Sequence, residues 1–165
     1  MMGAALASEV PDTTLFRKAM GGFAAGVTVV TTALDGRLSG TTVSAFSSLS
    51  MDPPLVLACL KRGSRTLSAV REAGVFCVNI LAADQGELAY AFAKSGCDER
   101  FALAALEPGA SAAPVLAGCV AAVECELHAA HDGGDHEILV GRVVSVRIDE
   151  SKPPLVYVRG QFLKS

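Results

Sequence analysis

The stretch GCVAAVECELHAAHDGGDHEILVGRVVSVRID, running from Gly118 to Asp149, decides the fold. Its two halves are rich in apolar and β-branched residues and are separated by Asp132-Gly133-Gly134-Asp135. That pattern predicts two long strands, Gly118–His131 and His136–Asp149, folded back on each other as a hairpin. Parity puts Cys119, Ala121, Val123, Cys125, Leu127, Ala129 and His131 on one face of the first strand, and Glu124, Glu126 and His128 on the other. On the return strand His136, Ile138 and Val140 share a face. If residues 131 and 136 pair across the turn, both imidazoles emerge on the apolar side at the tip, while His128 faces solvent.

Working outward, the rest of the chain repeats the theme. Asp12 or Thr13 caps a first helix with Leu15, Phe16, Ala19, Met20 and Phe23 on one face. Val27–Ala33 reads as a strand, Asp35-Gly36 as a hairpin turn, and Leu38–Ser47 as the returning strand. Asp52-Pro53-Pro54 breaks the chain before a buried strand, Leu55–Leu60. Ser64 caps a short helix to about Glu72, Val75–Leu81 is a strand, and Asp84 opens a helix through Phe92. A looser stretch, Lys94–Pro114, precedes the long hairpin, and Leu155–Arg159 is a last strand after Lys152-Pro153-Pro154. Strands dominate and hairpins join most of them, which argues for a mainly β antiparallel barrel with a few peripheral helices. One domain over residues 12–165, after a flexible N-terminus over 1–11, is the expected organisation.

With 165 residues, 51% of them hydrophobic, such a domain buries roughly 70% of its unfolded surface. The apolar excess suggests that a second copy covers part of it, so a homodimer is expected. A formal charge of -3 offers no footprint for nucleic acid or for a membrane surface. No apolar run is long enough to span a bilayer, and residues 1–11 lack the features of a signal peptide, which points to the cytoplasm. Cys59, Cys77, Cys97, Cys119 and Cys125 form no C-x-x-C pair and read as small hydrophobes rather than redox or zinc ligands. No two of the sixteen glycines lie two apart, so the dinucleotide fingerprint G-x-G-x-x-G is absent. A P-loop, a G-x-S-x-G elbow and H-E-x-x-H are absent too.

Three segments have the composition to carry chemistry. In Gly40–Ser50, six of eleven residues are Ser or Thr. Small hydroxyl residues let a planar ring approach the backbone and bond its polar edge, although an exposed edge strand has the same composition. Cys59-Leu60-Lys61-Arg62-Gly63-Ser64-Arg65-Thr66 runs from a strand into a helix N-terminus with three cations close together. It suits a phosphate cradle, and equally an ordinary capped surface helix. The third is His131–His136, whose imidazoles can meet a ligand, pack against neighbours, or bind a metal.

Taken together, the segments resemble the short-chain flavin reductase family, the reductase components of two-component flavin monooxygenases. The matching residues are Phe23–Thr31, Thr42–Ser50 with Pro53-Pro54-Leu55-Val56, Phe76–Leu81, Gln85 with Leu88, Ala89 and Phe92, Gly133–His136, and Arg159-Gly160-Gln161-Phe162. The hairpin and the terminal Arg-Gly-x-aromatic look most like reductases serving aromatic-ring or steroid hydroxylases. The resemblance implies a six-stranded Greek-key split barrel that pairs as a homodimer, transfers hydride from NADH or NADPH to FMN or FAD, and supplies a separate monooxygenase; a non-catalytic flavin-binding or flavin-sensing protein on the same barrel is the alternative. It places the isoalloxazine and ribityl chain on Gly40, Thr41, Thr42, Val43, Ser44, Ala45, Ser47 and Ser48, with main-chain amides of Thr42–Ala45 supporting the reduced ring. It places the phosphate side on Cys59, Leu60, Lys61, Ser64, Arg65 and Thr66, with Ala91 and Phe92 also touching the cofactor. His136, as catalytic residue, and Arg159, Gly160, Gln161 and Phe162 would meet the nicotinamide nucleotide; no metal is implied. Lys94–Phe101 departs from the family's pattern, so no role is carried over to Arg100.

Overall fold

Asp35 and Gly36 both adopt positive φ, 50° and 76°, the pattern of a tight I′ turn whose twist matches its flanking strands. They join β2 (Thr28–Leu34) to β3 (Arg37–Val43), one of several antiparallel ladders in a computed structural model that describes residues 12–94 and 98–163. The expectations for residues 1–11 and for Cys97 lie outside the described residues. Asp12 accepts the Thr14 N–H at 2.8 Å and starts α1 (Thr13–Gly21). A two-residue strand, β1 (Ala25–Gly26), precedes β2. After β3 come β4 (Phe46–Met51), β5 (Pro54–Lys61), α2 (Arg65–Ala73), β6 (Val75–Ile80) and α3 (Gly86–Ala93). A 3₁₀ turn (Asp98–Leu103), β7 (Leu106–Glu107) and β8 (Val115–Leu116) lead to β9 (Ala121–Gly133) and β10 (His136–Ile148). The chain closes with β11 (Val156–Val158) and β12 (Gln161–Phe162).

Seven strands form the main sheet in the order β3-β2-β6-β9-β10-β5-β4, every ladder antiparallel. The two outermost strands, β3 and β4, are consecutive in the chain. Only Ser44 and Ala45 separate them, so the sheet curls into a barrel that is split where the chain changes partner. This corrects the strand expected over Leu38–Ser47. It is two strands on opposite edges, Val43 pairing with Thr28 and Phe46 with Ala58, and the barrel has seven strands rather than six. The β9–β10 hairpin fills the gap between β5 and β6. One core cluster lies inside: Val30, Val56, Leu60, Phe76, Val78 and Leu139 among others, with Leu67 and Val70 of α2. That helix plugs the barrel and is not peripheral as expected. A second cluster joins Val29, Leu81, Leu88, Phe92, Leu116 and Leu155 beneath α3.

The hairpin register also differs from the expected one. His136 pairs with Gly133, and Ile138 with His131. Further along, Val140 pairs with Ala129 but Gly141 with Leu127, so His128 is the extra residue of a β-bulge. The bulge inverts parity. Cys125 faces the core, Leu127 packs against it, and beyond His128 the odd positions face outward, carrying His131 to the outer face with Ile138. Gly141 permits this crossing: a Cβ there would strike the buried Phe76 ring and stand 2.9 Å from the Cβ of Cys125.

Smaller boundaries moved for local reasons. Helix α3 starts at Gly86, not Asp84: Gln85, at φ -95° and ψ 25°, is its N-cap, and the Gln85 side chain bridges the Ala82 N–H and the Ala117 carbonyl. The last predicted strand is a hairpin, β11–β12, turned by Arg159 and Gly160 at φ 50° and 84°. None of the described residues of α1 is buried; Leu15, Phe16 and Met20 on it and Phe23 just beyond stay 55–77% exposed.

Candidate active site on the barrel's outer face

Directly opposed residues of antiparallel strands project to the same side. Ser47 opposes Leu57, Cys59 opposes Ile138, and Lys61 opposes His136. These side chains therefore share the outer face of β4, β5 and β10, while Ala58, Leu60 and Leu139 fill the core behind them. Leu57, Cys59 and Ile138 are half-buried and give the face an apolar floor. Ser44 and Ala45, both exposed, border it at the split, where the Ala45 carbonyl accepts the Cys59 N–H at 2.9 Å. Ser48 opposes Val56 and so points to the other side from Ser47.

At the end of β5 the chain turns through Gly63, at φ 73°, into α2. Ser64 caps that helix: its hydroxyl oxygen accepts the Leu67 N–H at 3.2 Å. The hydroxyl proton remains available to an anion, the Thr66 N–H has no acceptor within the helix, and Lys61 is exposed beside them. This donor set suits a phosphate. Of the three cations expected to form the cradle, Arg62 is turned elsewhere, onto the hairpin tip: it donates to the Gly134 carbonyl at 2.7 Å and to Asp132 at 2.7 Å. His136 is 42% exposed, and its Nδ1 lies 2.8 Å from Asp135 Oδ1. The bond to His136 and its charge hold the Asp135 carboxyl below the usual range.

Other expected contacts are placed away from this face. Phe92 is wholly buried, edge-on to Phe101 at 5.0 Å, and a Cβ on Gly40 would stand 2.8 Å from the Phe92 ring. Gly40 is therefore glycine to admit Phe92, not an incoming ring, and neither residue's side is open to a cofactor. Val43, Leu60 and Thr66 are also buried, which leaves only their main chain for binding. Thr41 and Ala91 are half-buried, and the Thr42 hydroxyl donates to the Ala89 carbonyl at 2.6 Å. Arg100 has a structural place: it is buried, donates to the Gly40 carbonyl at 3.1 Å and stands over the Phe92 ring.

The C-terminal hairpin makes a second recess. Val27, Thr42, Ser44, Ala89, Tyr90, Ala93, Tyr157 and Phe162 line a cavity of about 180 Å³. Phe162 sits between the chain's two tyrosines, with ring centroids 4.8 Å from Tyr90 and 5.6 Å from Tyr157. Neither tyrosine was singled out in the sequence; their pairing depends on a hairpin that the sequence did not announce. Arg159 and Gly160 line a larger cleft with α1, and Gln161 is exposed. Within one chain His136 and Phe162 have separate neighbours: β12 pairs with β11 alone, whereas His136 pairs with Gly133 and Lys61. Ser44 adjoins both regions.

His131 and His136 are not paired, and among the described residues no group of three His, Cys, Asp or Glu side chains is gathered for a metal. Burial disfavours the reactive thiolate at three cysteines: it pushes Cys119 up to about 11 and Cys125 up to about 12, and raises Cys77 further. No helix among the described residues is long and apolar enough to cross a membrane.

The fold is a split β-barrel whose outer face joins an apolar floor to an exposed lysine and a capped helix N-terminus. The chain belongs to the flavin reductase like domain family, whose model matches residues 20–164. It is 39% identical over 158 residues to the reductase subunit HsaB of a flavin-dependent monooxygenase from Rhodococcus jostii, covering 96% of this chain and 80% of that one. It is 42% identical over 163 residues to a flavin reductase (NADH) from Kitasatospora aureofaciens, covering 96% and 85%. The NADH:FAD oxidoreductase of Streptomyces globisporus, solved with NAD and FAD fragments, superposes with a TM-score of 0.88 at 33% identity, covering 93% of both chains.

Proposed function

We propose that this protein is an NAD(P)H-dependent flavin reductase that carries hydride from reduced nicotinamide to FMN or FAD and supplies the reduced flavin to a separate monooxygenase. The observation that carries this reading is the pairing of Lys61 with His136 on one sheet face, next to the Ser64-capped helix. It sets a phosphate-binding end and an imidazole within one strand spacing of each other, with the apolar floor of Cys59 and Ile138 alongside. The names of the relatives, NADH among them, agree with it.

When bound, the flavin supplies the hydride acceptor, and the chain itself needs no nucleophile. Lys61, the Ser64 hydroxyl and the first amides of α2 hold the phosphate. Ser44, Ala45 and Ser47 border the ring. His136, braced by Asp135, orients the nicotinamide amide or ribose. Phe162 and its tyrosine neighbours offer a stacking surface for the nucleotide, and the exposed apolar face of α1 suits a homodimer in which one copy's C-terminal hairpin serves the other's His136.

Two substitutions test the assignment of ends. Lys61→Gln should weaken binding of FMN about tenfold and leave riboflavin, which lacks the phosphate, unchanged. His136→Ala should raise the KM for NADH well above any change in that for flavin. Equal losses for FMN and riboflavin, or equal KM changes, would remove those residues from their roles.

A further inference from the structure

Arg62 lies in the middle of the proposed phosphate-binding turn, yet among the described residues its hydrogen bonds go to the other half of the site. Its main-chain N–H donates to the Asp135 carbonyl at 3.0 Å. Its Nε donates to the Gly134 carbonyl at 2.7 Å, one terminal nitrogen to Asp132 at 2.7 Å, and the other to Glu137 at 3.4 Å. Four bonds from one residue thus grip positions 132, 134, 135 and 137 and surround His136 without touching it. The rigid, forked guanidinium is the side chain suited to that multiple grip. Asp132 is itself tied into the turn, accepting the Gly134 N–H at 2.9 Å. Glu137 is buried and shared with Arg71 on α2, which reaches nothing else at the tip.

From this geometry we infer that Arg62 is a positioning residue: it clamps the hairpin tip to the Lys61–Thr66 turn and so fixes His136 relative to the phosphate-binding end. The inference rests on the functional reading above, because positioning has meaning only if the two halves serve one reaction. Without the clamp the tip is a two-residue turn ending long strands, held at that point by the pairing of His136 with Lys61 and Gly133. Its imidazole would sample orientations that do not meet the nucleotide. That costs affinity for the reductant, while the step that follows correct binding is unchanged.

The test compares Arg62→Gln with Arg71→Gln, which removes the other cation from the same Glu137 but leaves the bonds to positions 132, 134 and 135 in place. Two readouts are taken: hydrogen exchange in the protein without added flavin, and steady-state kinetics with NADH and FMN. Arg62→Gln should speed exchange of the amides at positions 62 and 134 and raise the KM for NADH about tenfold, with kcat nearly unchanged. Arg71→Gln should leave both readouts as in the parent. If Arg62→Gln does not fold, Asp132→Asn, which weakens the same clamp, should move both readouts in the same direction by less. Unchanged exchange at the tip, an unchanged KM, or equal effects from the two arginine substitutions would overturn the inference. A parent protein that fails to oxidise NADH with FMN would defeat the functional reading instead, and the exchange experiment would still decide whether Arg62 holds the tip.

Discussion

Glu124 shows how a single side chain can organise a loop. It is 2% exposed and accepts the Ala110 N–H at 2.9 Å, the Ser111 N–H at 2.7 Å and the Ser111 hydroxyl at 2.7 Å. Burial on its own would raise this carboxyl. The three donors and the nearby Arg147 outweigh it and hold the group below its ordinary value. A carboxylate depressed on folding stabilises the protein above its unfolded pKa, and that contribution disappears as pH falls through the folded pKa. Urea midpoints should therefore drop on acidification below about pH 4–5. Glu124→Gln should be less stable at neutral pH and show a flatter acid limb; an identical acid limb would contradict the assignment. The sequence put Glu124 on the opposite face from Cys125, as found, but gave no hint of its partners, which come from a loop thirteen and fourteen residues earlier. His131 was misplaced for a related reason. One extra residue at the bulge inverts every side chain beyond it, and period-two counting cannot see a bulge.

Among elements, those signalled by local chemistry were legible. Asp35-Gly36 and Gly134-Asp135 turn hairpins, Asp12 and Ser64 cap helices, and apolar, β-branched runs marked β5 and the long hairpin. Elements set by distant partners were not. Leu38–Ser47 reads as one strand because nothing local marks Ser44 as the point where Val43 belongs to β2 and Phe46 to β5. The β11–β12 turn places Arg159 at positive φ, a position its own residue type disfavours. Asn79, wholly buried on β6, is the joint between elements. Its amide nitrogen donates to the Val29 carbonyl at 3.1 Å and to the Thr31 hydroxyl at 3.0 Å, and its oxygen accepts the Leu116 N–H at 2.8 Å. Asn79→Ala leaves those buried partners unsatisfied and should cost roughly 2–4 kcal/mol in urea unfolding at unchanged m-value. A loss below about 1 kcal/mol would mean that water replaces the amide.

At the scale of the molecule, one architectural event makes the candidate site. The barrel splits at Ser44-Ala45, and the edge so created brings small residues beside the Lys61–His136 pair on the outer face. The sequence offered Lys61 and His136 in separate segments; only the sheet order shows that β5 and β10 lay them side by side. The same order leaves His136 and Phe162 with different neighbours, and the proposed pairing of two chains would bring them to one site. The direct test is rapid mixing of the purified protein with FMN or FAD and NADH or NADPH in the absence of oxygen. The account predicts that the visible flavin band bleaches as the nucleotide is oxidised, mole for mole, and far faster than without protein. Binding of flavin with no acceleration of bleaching by either nucleotide would contradict it.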